Sequence, residues 1–143
     1  MNEKLIAKAN KVIQRCNEAY FGVIDEDGCP HVSTVSAIKP EGIYEAYFAT
    51  GLEGNKIKRL QKDNRASVCY HKGGDNITLV GTTEILTDQE SKDRHWLSWF
   101  KEIFPLGKTD PNYCIIKFTT KRVSLWVNYE GAEFITAQAG EQA

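Results

Sequence analysis

The chain has 143 residues, with 18 Lys and Arg against 19 Asp and Glu and a net charge of -1. That length supports one domain with a core of its own, and the even balance excludes the broad positive field on which binding to nucleic acid or acidic membranes rests. Cys16, Cys29, Cys69 and Cys114 are scattered without a C-x-x-C pair, which argues against zinc and a redox dithiol and fits buried, reduced thiols.

The first sixteen residues carry charges where a signal peptide needs an apolar run, and no stretch is apolar for the length of a membrane span. A cytoplasmic protein with no nucleic-acid or membrane partner is expected. Leu5, Ile6, Ala9, Val12, Ile13 and Cys16 recur at helical spacing opposite Lys4, Lys8, Lys11 and Arg15, predicting an amphipathic helix near 3–16. A β-prone run at 20–24 leads into Asp25-Glu26-Asp27-Gly28, turn chemistry in which Gly28 supplies the positive φ. The returning strand, 31–38, places Val32, Thr34, Ser36 and Ile38 on one face and Ser33, Val35 and Ala37 on the other. Both faces carry small residues, so either a flat ligand or another backbone comes close, or the serines simply face water.

After the Lys39–Gly42 turn, a strand over 43–49 delivers Thr50 to a loop broken by Gly51 and Gly54, and a helix over 55–62 follows with Ile57 and Leu60 as its apolar pair. Asn64 is expected to cap it in the left-handed conformation. A helix N-terminus offers unpaired N–H groups and a positive dipole end, so this mouth reads as a phosphate cradle helped by Lys56 and Thr50. The competing reading is a basic surface face made by Lys56, Lys58, Arg59 and Lys62.

Further on, the pattern predicts a strand at 66–70, a flexible loop at 71–75, and a long strand at 76–87 with a bend at Gly81. A helix over 89–104, striped by Trp96, Leu97, Phe100, Ile103 and Phe104, should end at Pro105. Strands at 113–119 and 122–128 and a frayed tail from Glu130 complete the chain. Many short strands with few helices point to a closed or partly closed antiparallel barrel. His31, His71 and His95 have no ligand partners at metal spacing, no nucleophile elbow is present, and no carboxylates pair as in a hydrolase. What remains suits a phosphorylated planar ligand whose own chemistry does the work.

The segments GCPHVSTVSAI, YFATGLEGNKIKRLQKDNRASVCY, NITLVGTTEIL and RVSLWVN resemble the pyridoxamine phosphate oxidase-like FMN-binding split barrels, within them the general stress protein 26 branch. The resemblance implies a mainly β fold with helices, a six-stranded antiparallel split β-barrel in one domain, and a homodimer with FMN between subunits. Phe48, Thr50, Lys56, Leu60 and Asn64 occupy the positions of the family's FMN phosphate segment, with Ala49 and Asn55 inside it. Ser33, Thr34, Val35 and Ser36 fall on the strand that lies along the flavin ring, and Val123 to Trp126 matches the phrase that brings an indole to the cofactor.

Two departures stand out. Ser33-Thr34 replaces the branch's usual Arg-Pro, which removes a positive charge, and GAEFITAQAGEQA lacks the basic ending of true oxidases. Oxidation of pyridoxamine phosphate itself is therefore not expected. An FMN-dependent oxidoreductase of unknown substrate, a non-catalytic flavin store or sensor, and a haem or deazaflavin barrel using His71 or His95 all remain open.

Overall fold

The computed structural model describes residues 3–136. Helix α1, Glu3–Gln14, buries Leu5, Ala9, Val12 and Ile13 as one stripe, as its spacing demands. It also fixes the Pro40–Ile43 turn: Ile43 N donates to Asn10 Oδ1 at 3.0 Å and Gln14 Nε2 to the Glu41 carbonyl at 2.7 Å. Gly42 leaves room for that bond, since a Cβ would sit 2.5 Å from Asn10 Oδ1 and displace the side chain.

Seven strands follow: β1 Glu18–Ile24, β2 Pro30–Ser36, β3 Glu45–Gly51, β4 Arg65–Lys72, β5 Asp75–Leu86, β6 Tyr113–Val127 and β7 Glu130–Ile135. All pair antiparallel in the order β2-β1-β4-β5-β6-β3, with β7 on the second half of β6. Among the described residues, the two ends of that path are tied just past β2 by the Ala37–Phe48 bridge and an Ile38 N to Tyr47 carbonyl bond of 3.2 Å. The barrel is therefore split along that seam.

Strand β6 differs from expectation in being continuous. The register skips Lys121 between the Val80–Arg122 and Gly81–Thr120 pairs, so a bulge takes the place of the expected turn. Gly81 makes this possible, because a Cβ there would lie 2.0 Å from the Thr119 carbonyl oxygen. The bend lets the first half of β6 pair with β3 and the second with β7.

Residues 130–135 are likewise a strand, where a frayed tail was expected. Asn128 and Tyr129, at φ 51° and 65°, form the two-residue turn that reverses the chain, and Ala132 and Phe134 pack on the core. Residues 137–143, the rest of the expected tail, lie outside the described residues. Segment 71–75 is a tight hairpin closed by Lys72 and Asp75, with Gly73 at φ 57°. Asn64 is not left-handed: α2, Asn55–Lys62, ends at extended Asp63, whose carboxylate accepts the Arg65 amide and guanidinium.

The expected helix over 89–104 is broken. Helix α3, Gln89–Arg94, starts on Asp88, whose carboxylate accepts Ser91 N at 2.9 Å, and stops before His95; a 3₁₀ turn, Ser98–Glu102, follows. Apart from Leu97, the run His95–Phe100 holds middling helix formers, and Trp96, Phe100 and Phe104 gather around Tyr113 with ring centroids 5.2, 6.1 and 5.1 Å away. Ile103 is left exposed in consequence.

Two apolar clusters result. The inner one joins α1, Ile57 and Leu60 of α2, and the barrel-facing Phe21, Phe48, Val68, Leu79 and Phe118. The outer one packs Phe100 and Phe104 on Ile38, Tyr113 and Ile115, across the other face of β3 and β6. Burial on both faces explains the unbroken apolar run Tyr113-Cys114-Ile115-Ile116. The four cysteines are free; Cys16 and Cys114 are buried as expected, but Cys29 is exposed on its turn.

Candidate anion cradle at the mouth of helix α2

Strand β3 ends at Gly51, and α2 begins four residues later. Asn112, just before β6, holds the link: its carbonyl accepts Leu52 N at 2.8 Å and its Oδ1 accepts Glu53 N at 3.2 Å. Gly51 leaves room for this, since a Cβ would sit 2.9 Å from the Asn112 amide. The N-cap of α2 is Gly54, which has no side chain to accept from the first-turn amides, and the first turn contains no acidic residue. The mouth thus keeps unsatisfied N–H groups and the positive end of the dipole.

Lys56 stands in that first turn. Its ammonium lies 5.6 Å from the centroid of the Phe21 ring, itself 1% exposed, and it has no hydrogen bond or ion pair among the described residues. Burial lowers its pKa, as expected of an ammonium that has shed water without gaining a counter-charge. Arg59, on the same helix, is already committed to Glu26 through bonds of 2.8 and 3.2 Å. Lys58 is exposed. The basic face is thus divided: Lys58 is solvated, Arg59 is paired, and Lys56 is half-buried and unpaired.

The strand residues divide too. Ser33 pairs with Phe21 and Val35 with Ala19, so both lie on the inner face beside the ring that Lys56 covers. Thr34 and Ser36 point to the opposite face. Thr50 shares its face with Phe48 and Cys114, and its carbonyl accepts the Cys114 thiol at 3.4 Å. The Phe48 ring is core, edge-on to Phe21 at 5.3 Å; Ala49 packs with the outer cluster; Asn55 is exposed at the helix start. Trp126 is 46% exposed beside Gly131, twelve residues along β6 from Cys114, the partner of Thr50. Asn55 and Lys56 thus share the α2 mouth, Ser33 and Val35 share the inner face with the Phe21 ring that Lys56 covers, Thr50 lies at the end of β3 before the link, and Trp126 stands on the far half of β6.

Sequence reasoning missed Phe21 and Asn112. Phe21 looks like any core position of a strand, and the role of Asn112 depends on a contact 59 residues away in sequence.

Two of the three histidines are engaged as aromatic partners. His95 stacks on Tyr47 at 4.2 Å and 21°, and His71 on Tyr20 at 5.7 Å and 19°. No group of three or more metal-ligating side chains occurs among the described residues, nor does any helix long and apolar enough to cross a membrane.

A sequence model of the family described as pyridoxamine 5'-phosphate oxidase like matches residues 4–141. The chain belongs to that family. Its fold is shared with a protein of Clostridium acetobutylicum described as related to general stress protein 26 of Bacillus subtilis, of the pyridoxinephosphate oxidase family. That match has 24% identity and a TM-score of 0.85, and covers 96% of this chain and 99% of the other. General stress protein 26 from Bacillus anthracis is similar at 22% identity and TM-score 0.76, covering 91% and 98%. A heme-binding protein from Mycobacterium smegmatis shares the fold at 13% identity and TM-score 0.71, covering 91% of this chain and 57% of that one. No curated protein matches in sequence.

Proposed function

We propose that this chain binds FMN as a homodimer and serves as an FMN-dependent oxidoreductase. The observation that carries the reading is Lys56: a half-buried, unpaired ammonium at a helix mouth whose cap supplies no acceptor. A phosphate dianion there would meet the first-turn amides, the Lys56 ammonium and Thr50, and would offset the cost of burying the charge. Ser33 and Val35 would line the same side along the seam. FMN, when bound, supplies the redox chemistry; the protein fixes its phosphate and screens it from water.

A second copy is part of the proposal. Among the described residues no helix covers the outer face of β2-β1-β4-β5 and the far half of β6, since α1 and α2 bury their apolar sides in the inner cluster and the 3₁₀ turn packs on the outer cluster. Small residues, Gly22, Ser67, Cys69 and Thr78, run across its middle, and Tyr20, Val32 and Trp126 stand exposed around them. A flat patch with an aromatic rim suits isologous pairing, and it would bring in an indole that one chain keeps away from its own cradle. The visible spectrum of the purified protein, with light scattering, tests both halves: flavin maxima on a dimeric species support the reading, whereas a Soret band, or a flavin-bound monomer, overturns it.

A further inference from the structure

Two departures from regular backbone converge on one cleft. Lys39 is a non-glycine residue held at φ 37° just before Pro40. Across from it, the helix break after Arg94, with Leu97 extended at φ -116° and ψ 141°, presents His95 to Tyr47 and Trp96 to Tyr113. Local strain and broken helices gather where a fold keeps a site. Here they frame a cleft of about 320 Å³ whose walls include Lys39, Glu41, Glu45, Tyr47, His95 and Trp96, a volume suited to a small organic molecule. The cleft is separate from the α2 cradle. Tyr47 packs with the outer cluster, whereas Phe48 and Thr50 look into the barrel from the other face of β3.

The walls select the ligand. The stacked Tyr47 and His95 rings provide a flat π-surface. Burial first, and Arg94 second, lower the His95 pKa against an opposing pull from Glu45, which favours the uncharged imidazole. Glu45 is held in place by the Tyr47 hydroxyl, which donates to Oε1 at 3.3 Å. Neither Glu45 nor Glu41 belongs to an ion pair among the described residues, while Arg94 is already bonded to Glu90 at 2.9 Å. Two carboxylates, Glu41 and Glu45, and two cations, Lys39 and Arg94, line the cleft, with Arg94 bonded to Glu90 and Glu45 held at the Tyr47 ring. An aromatic wall with a carboxylate at its edge attracts an organic cation, whose charge that carboxylate balances.

We propose that this cleft is a second ligand site, distinct from the flavin cradle, for a small aromatic ammonium compound whose ring lies against the Tyr47–His95 pair and whose nitrogen meets Glu45.

Benzylammonium, benzyl alcohol and benzoate share a shape and differ in charge, so titrating the full-length protein with each, by ligand-observed NMR and calorimetry, reads the proposal directly. Benzylammonium should bind tightest and benzoate weakest, about tenfold apart or more. Glu45→Gln should abolish that order while the thermal melt stays put, and Glu41→Gln should weaken it. Saturating FMN should leave benzylammonium binding unchanged, so the result stands apart from whether FMN binds at all. Absence of benzylammonium binding at millimolar concentration, a preference for benzoate, an unaltered order in Glu45→Gln, or displacement by FMN would each overturn it.

Discussion

Lys56 holds its ammonium 5.6 Å from the centre of the Phe21 ring and forms no ion pair with any carboxylate among the described residues. A ring face returns only part of the hydration that the ammonium loses. In a ligand-free protein this is a cost to folding, so Lys56→Met should leave apoprotein stability unchanged or raise it by up to about 1 kcal/mol. The same residue should dominate affinity for the phosphate. Lys56→Ala is expected to weaken FMN binding by about 2–4 kcal/mol, and riboflavin, which lacks the phosphate, should not distinguish the variant from wild type. Equal FMN affinity in both proteins, followed by flavin fluorescence, would reduce the cradle to ordinary surface.

The pH dependence carries a definite sign. The Lys56 pKa lies below the ordinary 10.5 because burial disfavours the charged form. Between the folded and unfolded values the unfolded chain binds more protons, so this residue's contribution to apoprotein stability rises with pH through that window. FMN affinity should move the opposite way, falling as Lys56 loses its proton, while riboflavin affinity stays flat. Denaturant melts and titrations of wild type and Lys56→Met over the alkaline range separate the lysine from other groups, since the variant should lack both trends.

At the bulge, Gly81→Ala places a methyl 2.0 Å from the Thr119 carbonyl oxygen. Backbone cannot yield there as a side-chain tip would, so a loss of about 3 kcal/mol or more is expected. Gly74→Ala, which meets nothing within 4 Å, is the control and should change stability by less than about 1 kcal/mol. Urea denaturation of the two variants reads the difference.

Those two glycines also show how far the sequence was legible. A glycine inside the β-prone run 76–87 announced a bend, and hydrophobic periodicity located α1, α2 and most strands. It could not show that the bend at Gly81 carries β6 through Lys121 unbroken, because that depends on a close approach between residues 38 apart. The Asn128-Tyr129 turn lacks the usual glycine, so β7 went unread although Ala132 and Phe134 alternate toward the core. The 89–104 stripe was read as helical because its apolar spacing fits one; Tyr113 decides otherwise by collecting three of those rings. For the site, a glycine-bounded strand-to-helix passage with a lysine was visible in sequence. That Lys56 differs from Lys58 in burial was not, since it hinges on where Phe21 lies.

Tyr113 makes the outer cluster a polar as well as an apolar joint. Its hydroxyl donates to the Lys92 carbonyl at 2.8 Å, and the buried Lys92 ammonium donates to the Asp110 carbonyl at 2.9 Å while lying 5.4 Å from the Tyr113 ring. Burial pushes the phenol up to about 12. Tyr113→Phe keeps the ring contacts and removes one hydrogen bond, so it should cost about 1–2 kcal/mol. FMN affinity should be unaffected, because this cluster lies on the opposite face of β3 from Thr50. A chemical melt with an FMN titration on the same preparation checks both statements.

Thr78 sits near the centre of the uncovered outer face, directly across from Cys69 and Ser124 on the neighbouring strands. Because the face is made of small side chains, a second copy packed on it about a twofold axis would leave no room for a guanidinium, and the axis would place two such charges close together. Thr78→Arg should therefore shift light scattering from dimer to monomer. It should leave the fold intact, since Thr78 points away from the inner cluster and an exposed arginine there meets only water in the monomer. If FMN needs groups from both copies, including the Trp126 that one chain keeps from its own cradle, the monomeric variant should lose most of its FMN affinity although Lys56 and Thr50 are untouched. A wild-type protein that is monomeric with FMN bound would remove the partner from the site, and a Thr78→Arg variant that stays dimeric would place the interface on another face.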